Sequence, residues 1–175
     1  MLIIDASPPQ ESQPALIPNV QFTSPDITTN AGSLDNVTNG SGLTPAVPSL
    51  TGLHASYATT NAWRSALHNN SWPRNFVFVL PNIYWVTGIS FWPISGVESS
   101  NQVQFFTLQA SLDGGTTYAP IAGAPSSFPR GSTTPSNPVS YTWEPVRANR
   151  IRFVVTGSYG GSRITWLETQ FQGYV

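Results

Sequence analysis

The side chains that could act as acids or bases near neutral pH are few, and they lie far apart in the sequence. His54 and His68 are the two histidines, and neither stands beside a recognisable nucleophile motif. Glu144 and Glu168 could in principle form the carboxylate pair of a glycosidase. Glu144, however, falls on the outward phase of a predicted strand, which argues against two acids facing one cleft. We therefore expect no enzyme, and a hydrolase that depends on Glu168 is the third-ranked alternative.

Two other kinds of chemical site find little support. The glycine-rich segment 157–163 resembles a phosphate-binding loop in composition, but it contains no lysine and no helix is predicted after it. We interpret this segment as a connection between strands. The chain has no cysteine, which excludes disulfides and thiolate metal sites. We therefore expect no cofactor.

Aromatic and arginine side chains in predicted loops are the better candidates for a binding site. Aromatic rings bury a large area at little entropic cost and stack on the faces of sugars. If the loops gather at one end of the fold, these side chains would surround a shallow pocket. The alternative interpretation is that Trp72 and Trp92 only plug the ends of the fold. The predicted ligand-binding candidates are Trp72, Arg74, Trp92, Tyr159 and Arg163.

Composition limits the classes of partner. The 175 residues are 39% hydrophobic but only 9% charged, whereas about 25% is typical. All seven basic residues are arginine, and the net charge is −1. Such a surface has no polybasic field, so nucleic acid and anionic lipid are not expected as partners. No apolar run approaches the length of roughly 18 residues that a membrane span needs, so membrane insertion is not expected either.

The elements that must position these side chains are predicted to be strands. No segment keeps apolar residues at helical spacing for three turns, and 14 glycines and 16 prolines interrupt the chain. Alternating or continuous β-rich runs are dense from residue 76 onward, and Asp113-Gly114-Gly115 is a strong hairpin signal. The pattern predicts an antiparallel all-β sandwich of the jelly-roll type. Its strands are expected at about 76–80, 85–92, 103–112, 139–144, 150–156 and 164–171.

The N-terminal part is predicted to be less regular. Residues 1–18 include four prolines in the segment 7–18, so they are expected to form an extended arm, and residues 19–175 a single sandwich domain. Residues 19–61 have the composition of long loops with two short strands. The arm is either a frayed terminus or a segment that docks on a partner. The side chains predicted to dock are Leu2, Ile3, Ile4, Leu16 and Ile17.

Five segments in the same order as in a known family cover about residues 60–175. The segments are Ala62-Trp63-Arg64-Ser65, residues 78–81 followed by 86–89, residues 106–115 (Phe-Thr-Leu-Gln-Ala-Ser-Leu-Asp-Gly-Gly), residues 143–153 (Trp-Glu-Pro-Val-Arg-Ala-Asn-Arg-Ile-Arg-Phe) and residues 166–173 (Trp-Leu-Glu-Thr-Gln-Phe-Gln-Gly). Together they resemble the discoidin family, the coagulation-factor C-type domain with a galactose-binding-like fold.

The resemblance implies a non-catalytic β-sandwich module that binds glycans, lipids or proteins. The chain departs from the family pattern at residues 79–81 and at Asn149. Residues 53–61 also lack the aspartates that carry calcium in sugar-binding members. Glu168 stands at the position of a frequent metal-ligating glutamate, and Asp35 could approach it from the long loop. Calcium needs six to eight oxygen ligands, so these two acids are weak metal candidates and calcium is not favoured.

Two functions remain open from the sequence. The chain begins with Met and its first residues predict no export signal, while the fold resembles extracellular recognition modules. A bacteriophage virion protein (capsid decoration, tail or fibre), made in the host cytoplasm, would reconcile these features. Its N-terminal arm would anchor it to other virion proteins or to copies of itself in a homo-oligomer. The alternative is a lectin-like, carbohydrate-binding module that recognises cell-surface glycans, which would be extracellular.

Overall fold

The computed structural model describes residues 13–68 and 71–175, and almost all of its regular structure is β. Two short 3-10 helices, Leu34–Val37 and Ser99–Asn101, are the only helical turns in this part of the chain. No helix among these residues is long and apolar enough to cross a membrane. The strands are β1 Ala15–Leu16, β2 Gln21–Thr23, β3 Thr29–Gly32, β4 Trp63–Ser65, β5 Arg74–Phe91, β6 Val103–Ser111, β7 Ala119–Pro120, β8 Val139–Ser158, β9 Thr165–Trp166 and β10 Thr169–Tyr174.

Two long strands, β5 and β8, organise the sandwich. They pair antiparallel from Arg74↔Val155 to Phe91↔Val139, with an irregularity in register between Val79 and Tyr84. The first half of β5 also pairs with β2 and the second half with β10. Because Phe76 and Phe91, near the two ends of β5, both contact the ring of Trp166, the strand folds back over the core. Each long strand thus serves two layers, where the sequence predicted two separate strands.

The predicted all-β, antiparallel sandwich is confirmed. The larger sheet has the order β1-β10-β5-β8-β6-β7, with β2 beside β5, and a smaller sheet contains β3, β4 and β9. The predicted hairpin is present, since β6 pairs with β7 across a turn in which Gly114 and Gly115 have positive φ angles. Glycine adopts this conformation without the steric cost that a Cβ atom would add.

Aromatic rings fill the space between the layers. Phe76, Phe78 and Phe153 are fully buried, as the two-residue period of their strands requires. Their rings surround Trp166 at centroid distances of 5.2–5.8 Å, within the range in which aromatic pairs attract each other beyond simple burial. A smaller cluster, made of Leu43, Ala62, Trp92, Ile94 and Leu167, lies apart from this core.

The prediction for the N-terminal segment is wrong at its last residues. Ile17 is 1% exposed and belongs to the main core, and its N–H donates to the carbonyl of Phe171 at 2.9 Å. Ala15 and Leu16 form β1, which pairs with β10. The prolines at 14 and 18 flank β1 rather than interrupt it, so they do not prevent pairing. Ile17 is therefore not available to a partner. The other predicted docking side chains, Leu2, Ile3 and Ile4, lie outside the described residues.

Candidate functional site

Three loops meet at the end of the sandwich where β5 begins. They are the segments 24–28, 66–68 with 71–73, and 159–163. Backbone hydrogen bonds join them, because Ala66 N–H donates to Thr28 at 2.8 Å and His68 N–H donates to Ser162 at 3.0 Å. Two of the loops that the sequence predicted to gather, those that carry Trp72 and Arg163, are therefore joined, whereas the loop after Trp92 is not part of this set. These contacts bring candidate side chains from distant parts of the sequence to the same end of the fold.

Trp72 is the tryptophan that this loop end presents. Of the six tryptophans, Trp72 and Trp85 are half-buried, while the other four are 0–8% exposed. One side of Trp72 packs against the main core, and its ring lies 4.5 Å from the ring of His68, centroid to centroid. The packing fixes the indole and leaves part of it at the surface.

Two arginines are neighbours of His68: the charge of Arg74 acts on its ring, and the backbone of Arg163 forms a hydrogen bond with it. Arg74 donates from Nη1 to the carbonyl of Asp26 at 3.2 Å, and Arg163 donates from Nη1 to the carbonyl of Ser65 at 3.1 Å. Arg74 also lines an open groove of about 350 Å3, together with Leu67 and residues 24–28. Each guanidinium carries five N–H donors in a planar fork, so donors remain for a ligand.

His68 connects these groups, and the sequence did not identify it as part of a binding site. It is 2% exposed. Burial lowers the pKa of its ring, and the nearby charge of Arg74 lowers it further, while a hydrogen bond with the backbone of Arg163 acts in the opposite direction. The imidazole is therefore neutral at pH 7, and it packs against the indole ring of Trp72. We call His68, Trp72, Arg74 and Arg163 the loop-end cluster.

Trp92 and Tyr159 are the other two predicted binding residues, and each uses its polar group in a hydrogen bond within the protein. Trp92 is 0% exposed, and its Nε1–H donates to the carbonyl of Gly52 at 2.8 Å, so its prediction as a ligand-binding residue is wrong. The long loop 38–61 covers it, which strand periodicity could not reveal. Tyr159 is half-buried, and its hydroxyl donates to the carbonyl of Phe128 at 2.7 Å.

The acids considered for a glycosidase, Glu144 and Glu168, lie apart, and His54 is enclosed by the protein. Glu144 is exposed on β8, whereas Glu168 is 0% exposed, so the two carboxyl groups do not face a common cleft. His54 is fully buried, and its Nδ1 lies 2.7 Å from the carbonyl oxygen of Ala55. Burial lowers the pKa of this ring.

The surroundings of Glu168 do not fit a calcium ion. One carboxyl oxygen accepts from Gly40 N–H at 3.0 Å and the other from the side-chain amide of Gln170, so both face hydrogen-bond donors. Burial raises the pKa of Glu168 to about 8, against the smaller opposing effect of those two donors. Asp35 lies exposed in a 3-10 turn. Among the described residues, no group of three or more His, Cys, Asp or Glu side chains could hold a metal.

Comparison with solved structures identifies the architecture. The family 32 carbohydrate-binding module of NanJ from Clostridium perfringens, in complex with galactose, superposes with a TM-score of 0.65 at 11% identity, covering 91% of this chain and 99% of that one. The module CpGH89CBM32-5 from the same bacterium, in complex with GalNAc-β-1,3-galactose, gives 0.60 at 15% identity, covering 90% and 99%. CBM32-1 of a family 31 glycoside hydrolase from C. perfringens gives 0.59 at 12% identity, covering 91% and 96%.

The fold is that of family 32 carbohydrate-binding modules. This agrees with the discoidin-like, galactose-binding-like architecture that the sequence motifs imply. No family model matches the sequence, and no curated protein matches it. At 11–15% identity the likeness concerns the fold. These neighbours are carbohydrate-binding modules, and one of them comes from a family 31 glycoside hydrolase.

Proposed function

We propose that this protein is a non-catalytic carbohydrate-binding module whose ligand contacts the loop-end cluster. The observation that supports the proposal most directly is the half-buried ring of Trp72 at the loop end of the sandwich, packed against His68, which lies close to Arg74 and to the backbone of Arg163. Of the two functions that the sequence left open, the glycan-binding one agrees with the sugar ligands of the structural neighbours.

The chemistry of the cluster suits a sugar. The indole of Trp72 offers an apolar surface for the C–H face of a pyranose ring, and the two arginines offer N–H donors for its hydroxyl groups. Because His68 and the core hold the indole in place, little side-chain entropy is lost when a ligand binds. The adjoining groove is shallow and open, so we expect weak affinity, in the range of roughly micromolar to millimolar.

We further propose galactose-type sugars as the ligands to test first. Galactose and GalNAc-β-1,3-galactose are bound in two of the structural neighbours. A neutral sugar is compatible with this loop end, because a ligand can use hydrogen bonds and stacking there without needing charge.

A glycan array followed by titration calorimetry tests the proposal. We expect binding to a subset of glycans and its loss in Trp72→Ala, whereas the matched control Trp85→Ala, which removes the other half-buried tryptophan, should keep it. Binding that survives Trp72→Ala unchanged would contradict the assignment of the site. If no glycan on the array bound the protein, the proposed carbohydrate-binding function would be contradicted.

The bacteriophage virion role has no support among the structural neighbours. It stays a prediction from the sequence, as do a homo-oligomer and a location in the virion. Mass spectrometry of intact phage particles is its test, and absence of the protein from the particles would refute it. A hydrolase that uses Glu168 is not proposed, because this carboxyl is 0% exposed and no substrate could contact it in this structure.

A further inference from the structure

Buried polar side chains join the start of the long loop 38–61 to the last strand. Gln170, on β10, is 1% exposed, and Glu168, just before β10, is 0% exposed. The side-chain amide of Gln170 donates from Nε2 to the carbonyl oxygen of Thr38 at 2.8 Å and also to the carboxyl group of Glu168. The other carboxyl oxygen accepts from Gly40 N–H at 3.0 Å. One amide nitrogen therefore lies between two oxygen atoms that are far apart in the sequence.

The carbonyl of Thr38 determines which end of the Gln170 amide faces it. A carbonyl oxygen only accepts hydrogen bonds, so the amide must present its –NH2 end, and this group has two N–H donors. One donor contacts Thr38 and the other contacts Glu168. An ion that bridged the same two oxygens would have to lie where this nitrogen lies. The nitrogen therefore fills the position that a cation would take.

A second buried amide holds the turn that precedes the loop. Asn36, in the 3-10 turn Leu34–Val37, is 8% exposed, and its Nδ2 donates to the carbonyl oxygen of Ala62 at 2.9 Å. The chain then continues into the loop 38–61, in which the carbonyl of Gly52 accepts from the indole of Trp92. Side-chain amides thus fix the beginning of the segment that covers Trp92.

We propose that the Gln170 amide takes the place of a bound cation and holds the start of the loop 38–61 against β10 without calcium. The discoidin-like motifs imply a metal-ligating glutamate at position 168, but here an N–H donor faces that glutamate. Amide donors satisfy the carbonyl and carboxyl oxygens directly, so no ion is needed to offset their negative charge. The proposal is independent of the proposed glycan-binding function.

The first experiment is urea denaturation of the full chain after treatment with EDTA, with and without calcium at roughly millimolar concentration. The midpoint of the unmodified protein should be the same in both solutions. Gln170→Ala should lower the midpoint in both, because it leaves the oxygens of Thr38 and Glu168 without their donor. The matched control is Gln172→Ala, which removes a half-buried amide from the same strand and should lower the midpoint much less.

Gln170→Glu distinguishes a substitute for a cation from an ordinary buried hydrogen bond. This variant keeps the length of the side chain but replaces the –NH2 group by oxygen, so a second carboxyl group faces Glu168 and Thr38. Without metal it should unfold at a lower urea concentration than the unmodified protein, because acceptors then face each other. Carboxylate and carbonyl oxygens are the ligands that calcium prefers, so calcium should raise the midpoint of this variant.

Hydrogen exchange of the Trp92 indole N–H, followed by NMR, measures the effect on the loop itself. This N–H donates to Gly52 at 2.8 Å, so it exchanges when the loop opens. Gln170→Ala should speed this exchange by about tenfold, since the lost hydrogen bonds to Thr38 and Glu168 no longer oppose opening. Gln172→Ala should leave the exchange rate unchanged.

Three results would overturn the proposal. The first is a higher midpoint or a calorimetric binding signal when calcium is added to the unmodified protein, a measurement that needs no variant to fold. The second is a Gln170→Glu variant whose midpoint does not respond to calcium. The third is an unchanged midpoint together with unchanged indole exchange in Gln170→Ala. None of these measurements uses a glycan, so their outcome is distinguishable from failure of the proposed function.

Discussion

Replacing Glu168 by glutamine should change the pH dependence of stability in a defined window. The carboxyl group is 0% exposed, and burial raises its pKa from 4.5 to about 8. The folded protein therefore holds a proton that the unfolded chain releases above pH 4.5. The contribution of Glu168 to stability must then fall as the pH rises above 4.5, and the fall must level off as the pH passes about 8.

The size of the effect follows from the shift in pKa. One pKa unit corresponds to about 1.4 kcal/mol, so between pH 6.5 and pH 8 the free energy of unfolding should fall by roughly 2 kcal/mol. The lowered pKa values of His54 and His68 make stability rise with pH, because these histidines bind protons in the unfolded chain that they do not bind in the folded protein. That effect is confined to pH values below about 6.5, the ordinary pKa of histidine. Between pH 6.5 and pH 8, the change in stability therefore depends mainly on Glu168.

The assay is urea denaturation at half-unit steps from pH 5 to pH 8.5. The unmodified protein should be most stable near pH 6, and Glu168→Gln, which cannot titrate, should lose the decline between pH 6.5 and pH 8. The measured quantity is the slope of the free energy of unfolding against pH. The absolute stability is not compared, because the glutamine amide also changes the hydrogen bonds to Gly40 and Gln170. A flat profile for the unmodified protein, or an unchanged slope in the variant, would refute the reasoning.

The remaining stability predictions concern two packed positions. Ile17→Ala should cost about 2–5 kcal/mol in urea denaturation because Ile17 is 1% exposed in the core, and deletion of residues 1–18 should destabilise the sandwich for the same reason. An unchanged midpoint would restore the interpretation of this residue as part of a free arm. Gly42→Ala should cost about 1–3 kcal/mol, since a Cβ atom there would lie 2.0 Å from the ring of buried His54. Adding His54→Ala should recover part of that loss in the same assay, and strictly additive effects would show that the two residues do not clash.

The strand pattern was predictable from the sequence, but the continuity of the strands was not. Alternation correctly turned Phe153 inward and Arg152 outward, because side-chain period depends on local backbone geometry alone. The same pattern divided β5 at Pro81, since proline usually ends a strand. In the structure the bend at this position is a register irregularity within one long strand, which depends on the pairing of β5 with β8.

The candidate site was predictable only in part. Loop position suggested Trp72, Arg74 and Arg163, and tertiary structure brings them together around His68. Loop position also suggested Trp92, which the loop 38–61 buries, because coverage by a segment distant in sequence leaves no local signal.

The most direct test of the central claim is a heteronuclear NMR titration that follows the indole N–H signals during addition of galactose. Trp72→Phe and Trp85→Phe assign the signals of the two half-buried tryptophans. We expect the Trp72 signal to shift until the site is saturated, while the Trp85 signal stays in place. A Trp72 signal that does not move, at sugar concentrations where calorimetry detects binding, would contradict the proposed site.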